Sequence, residues 1–164
     1  MKRVSAAAAL FLLALAACQP GDKQASTTTT VETSAGKATV EITDAWCRPS
    51  PNGAQAGACY LTLESSQANR VTGVATPLAS NAMIHDMTME GGVMRMSEMA
   101  DGLPLPAGER VVLAPGGKHV MLMGLTGPLV EGVSAPLTLT FTATPAMTVQ
   151  AAVRQPTRRE GGAG

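Results

Sequence analysis

Aromatic residues are nearly missing from this chain: one Trp, one Tyr and two Phe in 164 residues. Any core must therefore be filled by Val, Leu, Ala and Met, and Met is the flexible gap-filler that such a core would use. Histidine is equally scarce. With only His85 and His119 present, any imidazole chemistry must pass through one or both of them. Charge of neither sign dominates, since the formal net charge is zero. Once the first seventeen residues are set aside, ten basic residues face twelve acidic ones. That balance provides no polybasic surface to hold nucleic acid or anionic lipid, so a nucleic-acid partner is not expected. No window carries a convincing amphipathic helix, and 164 residues suit one domain rather than two cores.

The first stretch, "MKRVSAAAALFLLALAAC", has a charged start, a short apolar run and small residues leading to Cys18. It is too short to span a bilayer as a helix and reads as an export signal over residues 1–17. Leu15-Ala16-Ala17-Cys18 resembles the lipobox of bacterial lipoproteins, which implies lipidation of Cys18 and a membrane anchor. The plainer alternative is an ordinary cleaved signal with an incidental cysteine. Export to an oxidising compartment leaves Cys47 and Cys59 as an even pair. From residue 18 to 37, "CQPGDKQASTTTTVETSAGK" has almost no large apolar residue and is expected to be a flexible tether. Residues 156–164, "PTRREGGAG", are expected to be a disordered tail.

Between them, residues 38–155 carry short, often alternating segments separated by Gly, Pro, Asn or Ser: "ATVEITDAW", "CYLTLES", "RVTGVAT", "AMIHDMTM", "GVMRMSEM", "ERVVLAP", "KHVMLMGL", "APLTLTFTA" and "TVQAAVR". That spacing predicts a single all-β sandwich or barrel. Pro104-Leu105-Pro106 and Pro115-Gly116-Gly117 are expected to break the run before a new strand at His119. A hairpin about Gly53 would set Cys47 across from Cys59 and Trp46 across from Tyr60 in one register. Either a cross-strand disulfide or two buried free thiols fits that pairing. The spacing is not C-x-x-C, which argues against a thiol–disulfide enzyme.

Eight of the ten methionines, together with both histidines, lie between Met83 and Met123. General core filling would have scattered them. Strand periodicity puts His85, Met87 and Met89 on one face, Met94 and Met96 on one face, and His119, Met121 and Met123 on one face. Gly91-Gly92 suits a two-residue hairpin turn, which would set Met89 opposite Met94 and Met87 opposite Met96, with His85 diagonal to Met96. Two imidazoles and several thioethers, with no thiolate or carboxylate expected on that face, select Cu(I) over Zn²⁺, Mg²⁺ or Ca²⁺. Neutral ligands leave the ion's charge uncompensated, so a shallow position suited to transfer is expected.

His85, ten residues, Met96, a longer interval and His119-Val120-Met121 together resemble the signature of the PCu(A)C-type periplasmic copper chaperones. The interval from Ser97 to Lys118 is twenty-two residues, one longer than that signature, and the extra residue is expected to sit in a loop. "DAWCRPSPNGAQAGACYLTL" and "PGGKHVMLMGL" extend the likeness over residues 38–155. The resemblance implies a cupredoxin-like Greek-key β fold. It also implies a Cu(I) site at His85, Met96, His119 and Met121, and delivery of copper to cytochrome c oxidase copper sites. Met87 is a possible additional ligand, while Met89, Met94 and Met123 are expected to pack or form a soft surround. The expected protein is a non-enzymatic monomeric metallochaperone, anchored by lipid in the periplasm of a Gram-negative-type bacterium, with a copper-acceptor protein as partner. The alternative is a copper-buffering lipoprotein without a dedicated acceptor. No His or Met follows Met147, so a second copper site in the C-terminal tail is not expected.

Overall fold

The computed structural model describes residues 38–157. The expected export signal, Cys18, the tether and residues 158–164 lie outside them. Ten strands and no helix occur among the described residues: β1 (Val40–Cys47), β2 (Ala56–Ser65), β3 (Asn69–Ala75), β4 (Ala79–Glu90), β5 (Val93–Glu98), β6 (Leu103–Leu105), β7 (Arg110–Leu113), β8 (His119–Leu125), β9 (Ser134–Phe141) and β10 (Met147–Val153). Nine of them form one hydrogen-bonded path, β5-β4-β8-β2-β1-β10-β9-β3-β6, and β7 joins it by pairing with β2. Along one edge of β2, β8 pairs with Ala56–Cys59 and β7 with Leu61–Glu64. The path folds over so that β3 packs on β4 and β6 on β2, making the two-layered all-β sandwich expected from the alternation.

The alternation decides what lies between the layers. Val120 and Leu122 of β8, Leu61 and Leu63 of β2, Leu137 and Leu139 of β9, and Val149 and Ala151 of β10 belong to one buried cluster. Fully burying a Leu or Val side chain contributes about 1.5–3 kcal/mol. Met147 is the one methionine in that buried set among the described residues, with Met99 packed partly against it. The other methionines are not core.

β1 changes which parity faces inward. Val40 and Ile42 are buried, yet further along the buried core positions are Ala45 and Cys47. The switch is a bulge: Thr43 pairs with Thr62, but Trp46 pairs with Tyr60, one residue out of step. Asp44 absorbs it at φ 51°, a left-handed conformation that Asp tolerates better than most residues. Beyond the bulge Cys47 points into the core opposite Cys59, and the two are joined as a disulfide. Trp46 is turned to the outer face.

One other local feature differs from the expectation of a plain turn. Leu103–Leu105 is a strand and not a break, pairing with β3 at the end of the path. An edge strand tolerates Pro104, whose missing N–H costs nothing on the open side, while Leu103 and Leu105 are buried. The connection expected to absorb one extra residue as a loop is thus partly built into the sheet. Gly102 enters it at φ 78°, where any Cβ would collide with the Val71 carbonyl oxygen.

The bulge predicts that Asp44→Val costs about 1–2 kcal/mol in urea unfolding, whereas Asp44→Gly leaves stability unchanged or raised. Equal losses from both would refute the conformational explanation. Replacing Cys47 and Cys59 together by Ala should cost about 3 kcal/mol by loop closure, and no loss beyond a few tenths would show that the bond contributes little.

Candidate metal centre

The outer face of β4 carries the site. Ile84 and its β8 partner Val120 point into the core, so Met83, His85 and Met87 point out. Three rungs follow. Met83 faces Met121 on β8, His85 faces His119 on β8, and Met87 faces Met96 on β5. Residues directly opposed have Cβ atoms about 4.5–5.5 Å apart, and diagonal neighbours lie at roughly 7–8 Å. His85 is therefore the hub: His119 lies beside it, with Met121 on one diagonal and Met96 on the other. Met96 and Met121 are not neighbours of each other, because the histidine rung separates them.

Gly91 and Gly92, at φ 59° and 81°, supply the two left-handed residues that a tight hairpin requires. The turn fixes the rung of Met87 and Met96. The His85 and His119 rings meet edge to face with centroids 5.8 Å apart. Lys118 Nζ and Asp86 Oδ2, 3.2 Å apart, tie β4 to the start of β8 beside this rung. The row continues through Tyr60, 6.4 Å from His119, to Trp46, 4.5 Å from Tyr60, with the Arg154 guanidinium 4.3 Å above the indole. Beside Met121, a groove of about 280 Å³ is lined by Arg48, Pro51, Ala56 and Ala58 among others. The small alanines on β2 leave that space.

The two imidazoles have different surroundings. His119 Nδ1 lies 2.9 Å from the Gly117 carbonyl oxygen. A carbonyl only accepts, so Nδ1 carries the hydrogen and the neutral ring keeps its lone pair on Nε2. His85 Nδ1 is buried and has no hydrogen-bond partner. Its pKa is lowered by burial first and by His119 second, with Glu98 opposing. Both effects hold the ring neutral, the form that binds metals.

Sequence reasoning missed two residues. Met83 lies opposite Met121, and its position two before His85 on the same strand was the available signal. Glu98 lies directly across from His85, so a carboxylate does occupy this face. The hairpin register that pairs Met87 with Met96 brings Glu98 opposite His85 as well, and the expectation of a carboxylate-free face is corrected. Glu98 is exposed, and no group of three His, Cys, Asp or Glu among the described residues could hold a metal. A hard ion finds too few oxygens and zinc too few borderline ligands. The donors present fit a soft monovalent cation.

A family profile described as "Putative lipoprotein LpqE-like" matches residues 40–153. The chain belongs to the LpqE-like family. A protein named "Putative lipoprotein Lxx21020" from Leifsonia xyli subsp. xyli is 34% identical over 102 residues, which is 62% of this chain. This LpqE-like chain spans 61% of that relative's length. In three dimensions it resembles the copper-bound PCuAC domain from PmoF2, with TM-score 0.59 and 26% identity, covering 71% of this chain and 93% of that one. It also resembles the solution structure of CuI-DR1885 from Deinococcus radiodurans, with TM-score 0.52 and 34% identity, covering 67% of this chain and 74% of that one. The fold of this LpqE-like protein is the cupredoxin-like β fold of these domains.

In an NMR titration of the metal-free protein, His85 should titrate with a midpoint below the ordinary histidine value of about 6.5. A midpoint at or above that value would contradict the burial argument. Because the folded state resists protonating His85, this contribution to stability is complete above about pH 6.5 and is lost as the pH falls through the depressed midpoint.

Proposed function

We propose that this LpqE-like protein is an extracytoplasmic Cu(I) carrier that binds the ion through His85, His119, Met96 and Met121. We further propose that it hands the ion to an acceptor protein, the copper sites of cytochrome c oxidase being the favoured destination. The observation that carries the reading is His85: a neutral imidazole with a buried, unpartnered Nδ1, set beside a second imidazole and between two thioether diagonals. An orphaned buried nitrogen is costly unless something satisfies it, and a bound cation would do so. Copper is cargo here, and the protein carries out no chemistry on it.

The same geometry suits release. Four neutral donors, no thiolate and an exposed Met96 give a site from which an incoming ligand can displace the methionine first. The copper-bound neighbours support the cargo, and the family's description supports a lipid-anchored location, which we assign to Cys18. Anchoring would hold the domain at the membrane surface, where a membrane-bound oxidase could be reached.

Titrating the exported domain against a Cu(I) chelator should reveal a tight equivalent. His119→Ala and Met96→Leu should each weaken it tenfold or more, which corresponds to about 1.4 kcal/mol. Met96→Leu should leave thermal stability unchanged, since that side chain is half exposed. Unaltered affinity in both variants would end the proposal. Mixing the loaded domain with an apo copper-A domain tests the acceptor: retention of copper by the carrier would reject the oxidase and favour a buffering role.

A further inference from the structure

Beyond the histidine rung, β8 no longer accompanies β4. The ladder between them runs from Ala79 only as far as His85 and His119, so the rest of the β4–β5 hairpin projects as a two-stranded ribbon. Its two faces are unlike. One carries Thr88, Glu90, Arg95 and a single exposed apolar residue, Val93, with Glu90 and Arg95 joined as a salt bridge at 3.1 Å. The other carries Met87, Met89, Met94 and Met96, paired 87 with 96 and 89 with 94. Met89, Met94 and Met96 are 64%, 46% and 50% exposed. No core lies against these three, so packing does not account for a thioether row on one side of a ribbon whose other side is mostly polar.

The geometry points to a second Cu(I) site at this hairpin, formed by the thioethers of Met87, Met89 and Met94. We propose that it loads the histidine site through Met96. Met89 and Met94 are directly opposed and Met87 is the next residue outward-facing on β4, so the three sulfurs can close on one ion from neighbouring backbone positions. Methionine's three torsions allow that closure without moving the strands. Thioethers alone are soft, uncharged ligands that discriminate for Cu(I) and bind it weakly, which suits capture and onward passage. The ion then passes from the Met89–Met94 rung across the Met87–Met96 rung to the histidine rung. As thioether–copper bonds at Met89 and Met94 break, bonds to Met96 and the imidazoles form. Copper remains Cu(I), no electron is exchanged, and an imidazole binding in its neutral form releases no proton.

This inference rests on the Cu(I) reading proposed above, and one experiment separates the two. Ag(I), a redox-inert Cu(I) substitute, is titrated into the intact mature domain while the methionine methyl groups are followed by NMR. The first equivalent should shift the histidine-site signals, and a second, weaker equivalent should shift the Met87, Met89 and Met94 methyls. Met89→Leu with Met94→Leu keeps the face apolar but removes two sulfurs. That variant should bind one equivalent with unchanged affinity at the histidine site and take Cu(I) from a chelate at least several-fold more slowly. His119→Ala should show the converse, retaining the hairpin shifts. If the Met89 and Met94 methyls do not respond, or the double variant still binds two equivalents, the hairpin site is refuted while the histidine site stands. No metal-induced shift anywhere would refute both. Unchanged loading kinetics in the double variant would refute the loading role.

Discussion

One surplus residue in β1 governs how this domain presents its surface. A strand has strict alternation, so a single insertion exchanges the inward and outward sets from that point on. Before Asp44 the even-numbered residues fill the core; after it the odd-numbered ones do. Without the bulge, Trp46 would enter the core and Cys47 would face outward, away from Cys59. With it, Trp46 and Tyr60 extend the histidine rung into a continuous row while the disulfide stays inside. A conformation costing on the order of 1–2 kcal/mol at one exposed residue is thereby held in place by the core on one side and the aromatic row on the other.

The methionines divide along the same inside–outside line. Core residues on β4 and β8 are Ile84, Val120, Leu122 and Leu125, a conventional apolar set, while the sulfurs face outward beside the imidazoles. Placing soft donors on a rigid sheet face fixes their backbone positions and leaves their flexible arms free. The sheet thus supplies position and the side chains supply adaptability, a division that would suit the reversible binding proposed for this face.

Much of this was legible in the sequence because two of its signals are geometric. The Gly91-Gly92 turn fixes the Met87–Met96 and Met89–Met94 pairs, and the alternation of His119, Met121 and Met123 fixes one face of β8. The Trp46–Tyr60 pairing was legible from turn residues alone. The bulge was not, since Asp-Ala before a tryptophan has no period to betray an extra residue. β6 was hidden by its flanking prolines, which speak against a central strand but not against an edge. Met83 and Glu98 could have been found by extending the inferred registers one rung further. The spatial relation of β4 to β8 depends on long-range pairing that no local pattern encodes.

The buried bond between Cys47 and Cys59 has a consequence for competition among sulfurs. Cys59 is adjacent in sequence to Tyr60 and pairs with Val120, the residue after His119. Free thiols there would lie one strand position from the imidazole row. A thiolate is a far stronger ligand for Cu(I) than a thioether, and a transient opening of the sheet could let it trap the ion. Oxidised to a disulfide, the pair has no thiolate to offer. The bond thus keeps thiolate chemistry away from the imidazole row and leaves thioethers as the sulfur donors of the outer face, which would keep the proposed grip on Cu(I) weak enough to be reversed.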